Sequence, residues 1–149
     1  MTLKVGDKAP LFEAKIQDGS TIKLSDFIGK KVVLYFYPKD NTPGCTTQSC
    51  NLRDNHELLQ KEGYVVLGVS SDSEKSHVKF IDKFDLPFDL ISDPDKTVHD
   101  LYGTWAEKQM YGRKFMGTVR TTFVIDEKGL ISEIIGRVIT KDHTAQILE

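Results

Sequence analysis

The two cysteines of this chain, Cys45 and Cys50, lie at the end of the stretch 35–50, YFYPKDNTPGCTTQSC. An apolar run over 32–37 stops at Pro38, and a polar turn, Lys39-Asp40-Asn41, follows it. Thr42-Pro43-Gly44-Cys45 then reads as the start of a helix. Thr42 suits the N-cap, where a hydroxyl can accept from a free backbone N–H. Pro43 suits the first helical position, where its missing N–H costs nothing. Cys45 then falls in the first turn, among unpaired N–H groups at the positive end of the helix macrodipole. A thiolate is favoured in such surroundings, and the thiolate is the nucleophilic form of cysteine.

The five-residue spacing of the cysteines is itself informative. In an intact helix it corresponds to about 7.5 Å of rise and about 140° of rotation, which puts the Cα atoms roughly 8–9 Å apart. A disulfide needs about 4.4–6.8 Å. A bridge therefore requires the first turns to unwind, and a static structural disulfide is not expected. The spacing also differs from the C-x-x-C of disulfide oxidoreductases, in which the second cysteine lies one turn along. His56, His77, His99 and His143 are scattered, mostly beside charged residues, without metal-ligand spacing to one another or to the cysteines. They read as solvated surface. Trp105 and Phe115 are candidates to cover the site, or simply core.

The elements that position these residues read as follows. Strands over 12–16 and 21–24 flank the turn Gln17-Asp18-Gly19-Ser20 as a hairpin. A short helical turn over 25–27 ends near Gly29. A buried strand over 31–37 leads into a helix over 42–61, with Leu52, Leu58 and Leu59 on its apolar face and Gly63 as its stop. A second buried strand covers 64–70. Ser73 caps a helix over 74–84, with Val78, Phe80, Ile81 and Phe84 near helical spacing. A short strand over 88–91 precedes a helix through Val98 and Leu101 that ends at Gly103. Residues 104–117 have poor periodicity and read as a loop over apolar surface. A strand over 118–125 and its partner over 130–138, with Gly136 as a bulge, flank the turn 126–129. A short helix over 140–148 closes the chain. The order specifies an α/β architecture. With 149 residues and no repeat, linker or low-complexity tract, residues 1–149 are expected to form one domain.

A net charge of −2 gives no electrostatic footprint for nucleic acid or a membrane surface, and no apolar run reaches membrane-spanning length. Without a signal-like start, a cytoplasmic protein is expected. In that compartment two cysteines serve catalysis, redox sensing or metal binding more often than structure.

The residues quoted above carry a resemblance. Pro38, Thr42 and Cys45 match the P-x-x-x-T-x-x-C signature of peroxiredoxins, and PKDNTPGCTTQSC resembles the bacterioferritin comigratory protein, or peroxiredoxin Q, subfamily. Gly6, Ala9, Pro10 and Phe12 resemble the family's G-x-x-A-P-x-F entry, and Arg120-Thr121-Thr122-Phe123 its R-[ST]-T-F strand. The resemblance implies a thioredoxin-like fold, a central mixed sheet flanked by helices, with an N-terminal hairpin extension. It implies Cys45 as the peroxidatic cysteine and Cys50 as the resolving cysteine. Thr42 and Arg120 are implied as donors to the peroxide, Arg120 also as a charge beside the thiolate. Pro38 would end the strand and shield the sulfur from water. Many members place Glu where Gln48 stands; glutamine keeps the acceptor and lacks the charge. The implied activity is thiol-dependent reduction of hydroperoxides without metal or organic cofactor. The implied reductant is thioredoxin or a similar dithiol protein. A monomer is implied, with a dimer as the alternative. The rival readings are a thioredoxin-like disulfide oxidoreductase and a thiol redox or metal sensor without turnover.

Overall fold

The run Val32–Phe36 is β-branched and aromatic, and every one of its side chains is at most 1% exposed. Such a strand belongs in the middle of a sheet covered on both faces. The computed structural model, which describes residues 3–148, places it there. In chain order the elements are β1 (Glu13–Ile16), β2 (Thr21–Lys23), β3 (Lys31–Phe36), α1 (Pro43–Asp54), α2 (His56–Lys61), β4 (Tyr64–Ser70), α3 (Glu74–Phe84) and β5 (Asp89–Ser92). They continue with α4 (Thr97–Tyr102), β6 (Trp105–Met110), β7 (Arg113–Thr118), β8 (Thr121–Ile125), β9 (Ile131–Ile135) and α5 (His143–Leu148). The main sheet runs β2-β1-β5-β4-β3-β8-β9. β3, β4 and β5 are parallel neighbours, and the remaining pairings are antiparallel. The mixed sheet expected from the sequence is observed, with the β1–β2 hairpin at one edge.

Alternation along β3 divides the core. Val32, Leu34 and Phe36 pack with Leu67, Val69, Phe123 and, from α4, Val98 and Tyr102. Val33, Tyr35 and Tyr37 pack on the other face with Leu52, Leu59, Phe80 and Ile147, from α1, α2, α3 and α5. Ser73 caps α3, its side chain accepting from the N–H of Ser76 at 3.1 Å. Tyr35 lies beside Gly68 of β4. A Cβ on Gly68 would come within 2.7 Å of Leu90 Cδ2 and 2.9 Å of Tyr35 Cζ, so glycine is what leaves room for both side chains there.

Several expectations need correction. The helix over 42–61 is two helices, α1 and α2, broken at Asn55, whose side chain donates to the Asn51 carbonyl at 2.8 Å. A side-chain amide that competes for a helical carbonyl interrupts the ladder. The break also re-phases the second helix: Leu59 is buried and Leu58 is exposed. In α3, Val78 likewise faces outward. Residues 104–117 are not a loop. β6 and β7 form a separate antiparallel ribbon turned by Tyr111 and Gly112, both at positive φ as a tight two-residue turn requires. Most of the ribbon's side chains on both faces meet solvent, so no alternation marks it. The strand over 118–125 is consequently split, β7 ending at Thr118 and β8 starting at Thr121. The short strand expected over 88–91 is β5, shifted to Asp89–Ser92. The ladder irregularity falls at Val124/Ile125, not at Gly136. Residues 140–142 form a 3-10 turn before α5.

The histidines are not surface residues. His77, His99 and His143 are fully buried, and His56 is half-buried. His99 Nδ1 meets Asp93 Oδ2 at 2.6 Å. Burial opposes ionisation of that carboxylate, but bonds from the His99 side chain and the His99 and Val98 N–H groups outweigh it and hold its pKa below the ordinary value. Trp105 packs on His99, and Phe115 is exposed on the ribbon.

Replacing Gly68 by Ala is expected to cost about 1–3 kcal/mol, the usual range for overpacking a filled core. Urea denaturation checks this, and an unchanged midpoint would mean that Tyr35 and Leu90 yield freely. A second prediction concerns pH. His143 Nδ1 donates to Gln146 Oε1 at 2.9 Å, and Nε2 accepts from the Thr122 hydroxyl at 2.8 Å. Burial pulls its pKa below the ordinary histidine value; the Gln146 acceptor opposes this and the Arg120 charge adds to it. The unfolded chain therefore takes up this proton first as pH falls through about 6.5, and stability is lost below that point. His143→Gln should flatten the stability profile between pH 7 and 5, by up to about 1.4 kcal/mol per pH unit. Superimposable pH slopes for the two proteins would refute this.

Candidate active site

The site lies where the parallel strand β3 ends and α1 begins. Tyr37 keeps one last strand contact, its N–H donating to the Val69 carbonyl at 3.0 Å, and Pro38 then turns the chain. The turn 39–41 is held from within. The Asp40 carboxylate accepts from the Tyr37 hydroxyl at 2.6 Å and the Ser76 hydroxyl at 2.8 Å, and shares a hydrogen with His77 Nδ1 at 2.7 Å. His77 Nε2 donates to the Ile91 carbonyl at 2.9 Å, and the Asp40 N–H donates to Asp72 at 2.8 Å. Asp40, Asp72 and His77 offer ligand atoms within 4.8 Å of one another, but hydrogen bonds within the protein already occupy those atoms, so they read as a bracing network. Neither Asp40 nor His77 was a candidate from sequence. The available signal was helical phase: His77 precedes Phe80 by three residues and Phe84 by seven, on the face that packs inward.

Thr42 takes the extended N-cap conformation, and Pro43 occupies the first turn as expected. The expected cap bond is absent. The Thr42 hydroxyl donates instead to the Lys39 carbonyl at 2.8 Å, closing the turn, while the Thr42 carbonyl accepts the Thr46 N–H at 2.8 Å. Cys45 is the third residue of α1 and 1% exposed.

Arg120 reaches this sulfur from the β7–β8 junction. Its Nη2 donates to Cys45 Sγ at 3.2 Å, and its Nη1 donates to Gln48 Oε1 at 2.6 Å. One planar cation thus holds two α1 side chains, a geometry lysine could not reproduce. Gln48 is fully buried, and among the described residues its Nε2 finds no partner. Gly44 makes room for the guanidinium: a Cβ there would lie 3.3 Å from Nη2. Ser49, also buried, shares a hydrogen bond with the Tyr35 hydroxyl at 2.9 Å.

Cys50 does not face Cys45. It is half-buried in a shallow surface cleft with Thr46, Thr47, Asn51, Asp54 and Lys141, and both cysteines are free. Burial pushes the Cys50 thiol pKa up, against a smaller lowering by Arg53. The structure therefore brings together Cys45, Arg120 and Gln48, leaves Pro38 and Thr42 at the two ends of the turn that leads into α1, and holds Cys50 apart on the outer side of the same helix. The assembled chemistry is a cysteine at a helix N-terminus, with a fixed cation on its sulfur and a spare buried donor. That is equipment for nucleophilic attack by a thiolate and stabilisation of a leaving anion.

Comparison with known proteins agrees. Residues 5–134 match the AhpC/TSA family. The chain is 48% identical to the putative peroxiredoxin bcp of Coxiella burnetii, over 99% of this chain and 98% of that one. It is 45% identical to peroxiredoxin Bcp of Bacillus subtilis, over 100% and 95%. The crystal structure of a cysteine-to-serine mutant of PrxQ from Xylella fastidiosa superposes with a TM-score of 0.92 at 32% identity, covering 99% of this chain and 94% of that one. A Xanthomonas campestris bacterioferritin comigratory protein, studied for its alkyl peroxide reduction activity, superposes at 0.86 with 34% identity, over 92% and 87%. The fold is thus the thioredoxin-like fold of the peroxiredoxins. Matches that run the length of both partners, at this identity, mean that the chain belongs to the AhpC/TSA family as a peroxiredoxin of the Bcp and peroxiredoxin Q group.

Proposed function

We propose that Cys45 is the peroxidatic nucleophile of this thiol peroxidase and Cys50 its resolving partner. The Cys45 thiolate attacks one oxygen of a hydroperoxide, the O–O bond breaks, and the alkoxide or hydroxide leaves and takes a proton. Cys45 becomes a sulfenic acid. Arg120 stabilises the thiolate and the leaving oxygen, and the Thr42 hydroxyl, which donates to the Lys39 carbonyl, leaves its oxygen to accept from the peroxide O–H. Pro38 shields the sulfur. The carrying observation is the Arg120 fork, which sits on Cys45 Sγ and Gln48 Oε1 at once.

Cys50 then attacks the sulfenic sulfur, forming the disulfide and releasing water. Helical spacing requires α1 to unwind for this step. A dithiol protein such as thioredoxin reopens the bridge by exchange. Both cysteines lie on one helix, so one chain completes the cycle, which supports a monomer. A cytoplasmic setting fits a pair of cysteines that serves catalysis rather than structure. No described helix is long and apolar enough to cross a membrane. Residues 1–149 act as a single peroxiredoxin domain in this reading, with no metal or organic cofactor in any step.

Peroxide consumption coupled to thioredoxin, thioredoxin reductase and NADPH tests the assignment. Cys45→Ser should abolish turnover and any burst. Cys50→Ser should keep a burst of one equivalent and lose thioredoxin-dependent turnover; full turnover in that variant would remove Cys50 from the cycle. Gly44→Ala separates stability from geometry. Alanine favours a helix by up to about 1 kcal/mol over glycine, yet its methyl presses the guanidinium by a few tenths of an ångström. Misplacement of that size should slow sulfenate formation by roughly three- to tenfold. Stopped-flow rates beside thermal melts decide it, and an unchanged rate would mean that Arg120 shifts without consequence.

A further inference from the structure

Asn51 follows Cys50 directly and is tied to the C-terminal segment from both ends of its amide. Its Nδ2 donates to the Lys141 carbonyl at 2.8 Å, and its Oδ1 accepts the Thr144 N–H at 2.8 Å. The Thr144 hydroxyl adds a longer bond to the Asn51 carbonyl at 3.3 Å. The segment that receives these bonds is itself fixed. His143 is buried against Thr122 of β8, Ile147 is buried in the core, and Gln146 donates to the Arg137 carbonyl and accepts from the Ile139 N–H. Cys45 is pinned from the opposite side by Arg120. The two sulfurs are therefore held apart by two separate attachments on one helix, one on each side of the stretch that must unwind.

We propose that Asn51 is a positioning residue: with the Lys141 carbonyl and Thr144 it forms a clasp that holds Cys50 away from Cys45, and its release sets the rate of disulfide formation. This rests on the reading of Cys50 as the resolving cysteine. The gated step is balanced within the chain. The Cys50 thiol loses its proton, its sulfur bonds to the sulfenic sulfur of Cys45, and hydroxyl and proton leave as water. Cys50 is oxidised and the sulfenic sulfur reduced. While the clasp is closed, burial raises the Cys50 thiol pKa, and release relieves that as well. The clasp also sets a competition, because a sulfenic acid that waits is open to a second peroxide and conversion to sulfinic acid.

The test mixes reduced protein with one equivalent of hydrogen peroxide, without reductant. Thiols are quenched by alkylation over time, and sulfenate, disulfide and sulfinate are counted by mass spectrometry. Asn51→Ala should leave sulfenate formation unchanged and speed the disulfide by on the order of tenfold, the factor for two lost hydrogen bonds. At high peroxide its sulfinic fraction should fall. A disulfide rate equal to or below that of the wild type overturns the clasp and leaves Cys50 as the resolving residue. Absence of any disulfide in the wild type overturns both. Should Asn51→Ala not fold, amide exchange in the reduced wild type decides. The amides of residues 46–50 and of Thr144 should exchange through one common opening, and residues 46–50 opening while Thr144 stays protected would overturn the proposal.

Discussion

A continuous helix keeps side chains five residues apart from meeting, and in this protein that geometric fact falls on the two sulfurs. In the proposed cycle α1 must be intact to put Cys45 among free N–H groups under Arg120, and it must come apart for Cys50 to arrive. Its buried face suits that double demand. The inward residues are Cys45, Gln48, Ser49 and Leu52, at helical spacing, and only Leu52 is a large hydrocarbon. Burial of a leucine-sized side chain is worth about 1.5–3 kcal/mol, whereas a hydrogen bond contributes about 0.5–1.5 kcal/mol net. Two central positions that could have carried leucines carry Gln48 and Ser49, bonded to Arg120 and Tyr35. The spare Gln48 amide lowers the balance further, since an unsatisfied buried donor costs about 1–3 kcal/mol unless water or substrate takes it. α1 is therefore fastened by directional bonds that exchange with water at small net cost.

The surroundings are not built this way. β3 is buried along its length between β4 and β8, and the turn that leads into α1 is bolted to α3 and β5 through Asp40, His77 and the Ile91 carbonyl. Charged and polar groups so deeply buried add little stability over hydrocarbon packing, but they fix one arrangement. The rigid turn sets where α1 starts. Local opening can then begin at α1 without loosening the sheet, because low-stability units open independently of the global fold.

What was legible in the sequence follows from the same physics. β4 and α3 were readable to the residue, since an apolar run and a capped amphipathic period each reflect burial of a face. The site's core, Cys45 with Pro43 before it, was readable from helix-start chemistry. Arg120 was readable only through the family motif, because nothing in a lone arginine says that a strand end 75 residues away in the chain will bring it to a sulfur. The β6–β7 ribbon was missed because it packs mainly on itself and has no buried face to leave a pattern. The buried histidines were missed because neighbours such as Asp142 and Lys141 suggest solvent, while the partners that satisfy the rings, Thr122 for His143 and Ile91 for His77, are distant in sequence. Asn51 gave no signal either: its partners lie more than 85 residues on, and an asparagine in a helix reads as surface.

Arg120 gives the two states of α1 a common logic in the proposed cycle. Its fork joins Cys45 and Gln48, which stand three residues apart, one helical turn, only while α1 is wound. Unwinding that turn separates the two acceptors, so a rigid guanidinium cannot keep both. The arrangement that activates the thiolate is dismantled by the motion that admits Cys50. Attack on peroxide and resolution are thus mutually exclusive geometries of one helix. Once a dithiol reductant has cleaved the bridge, rewinding restores the helix terminus and the fork together. The five-residue spacing, which would be a defect in a structural disulfide, is what forces this alternation.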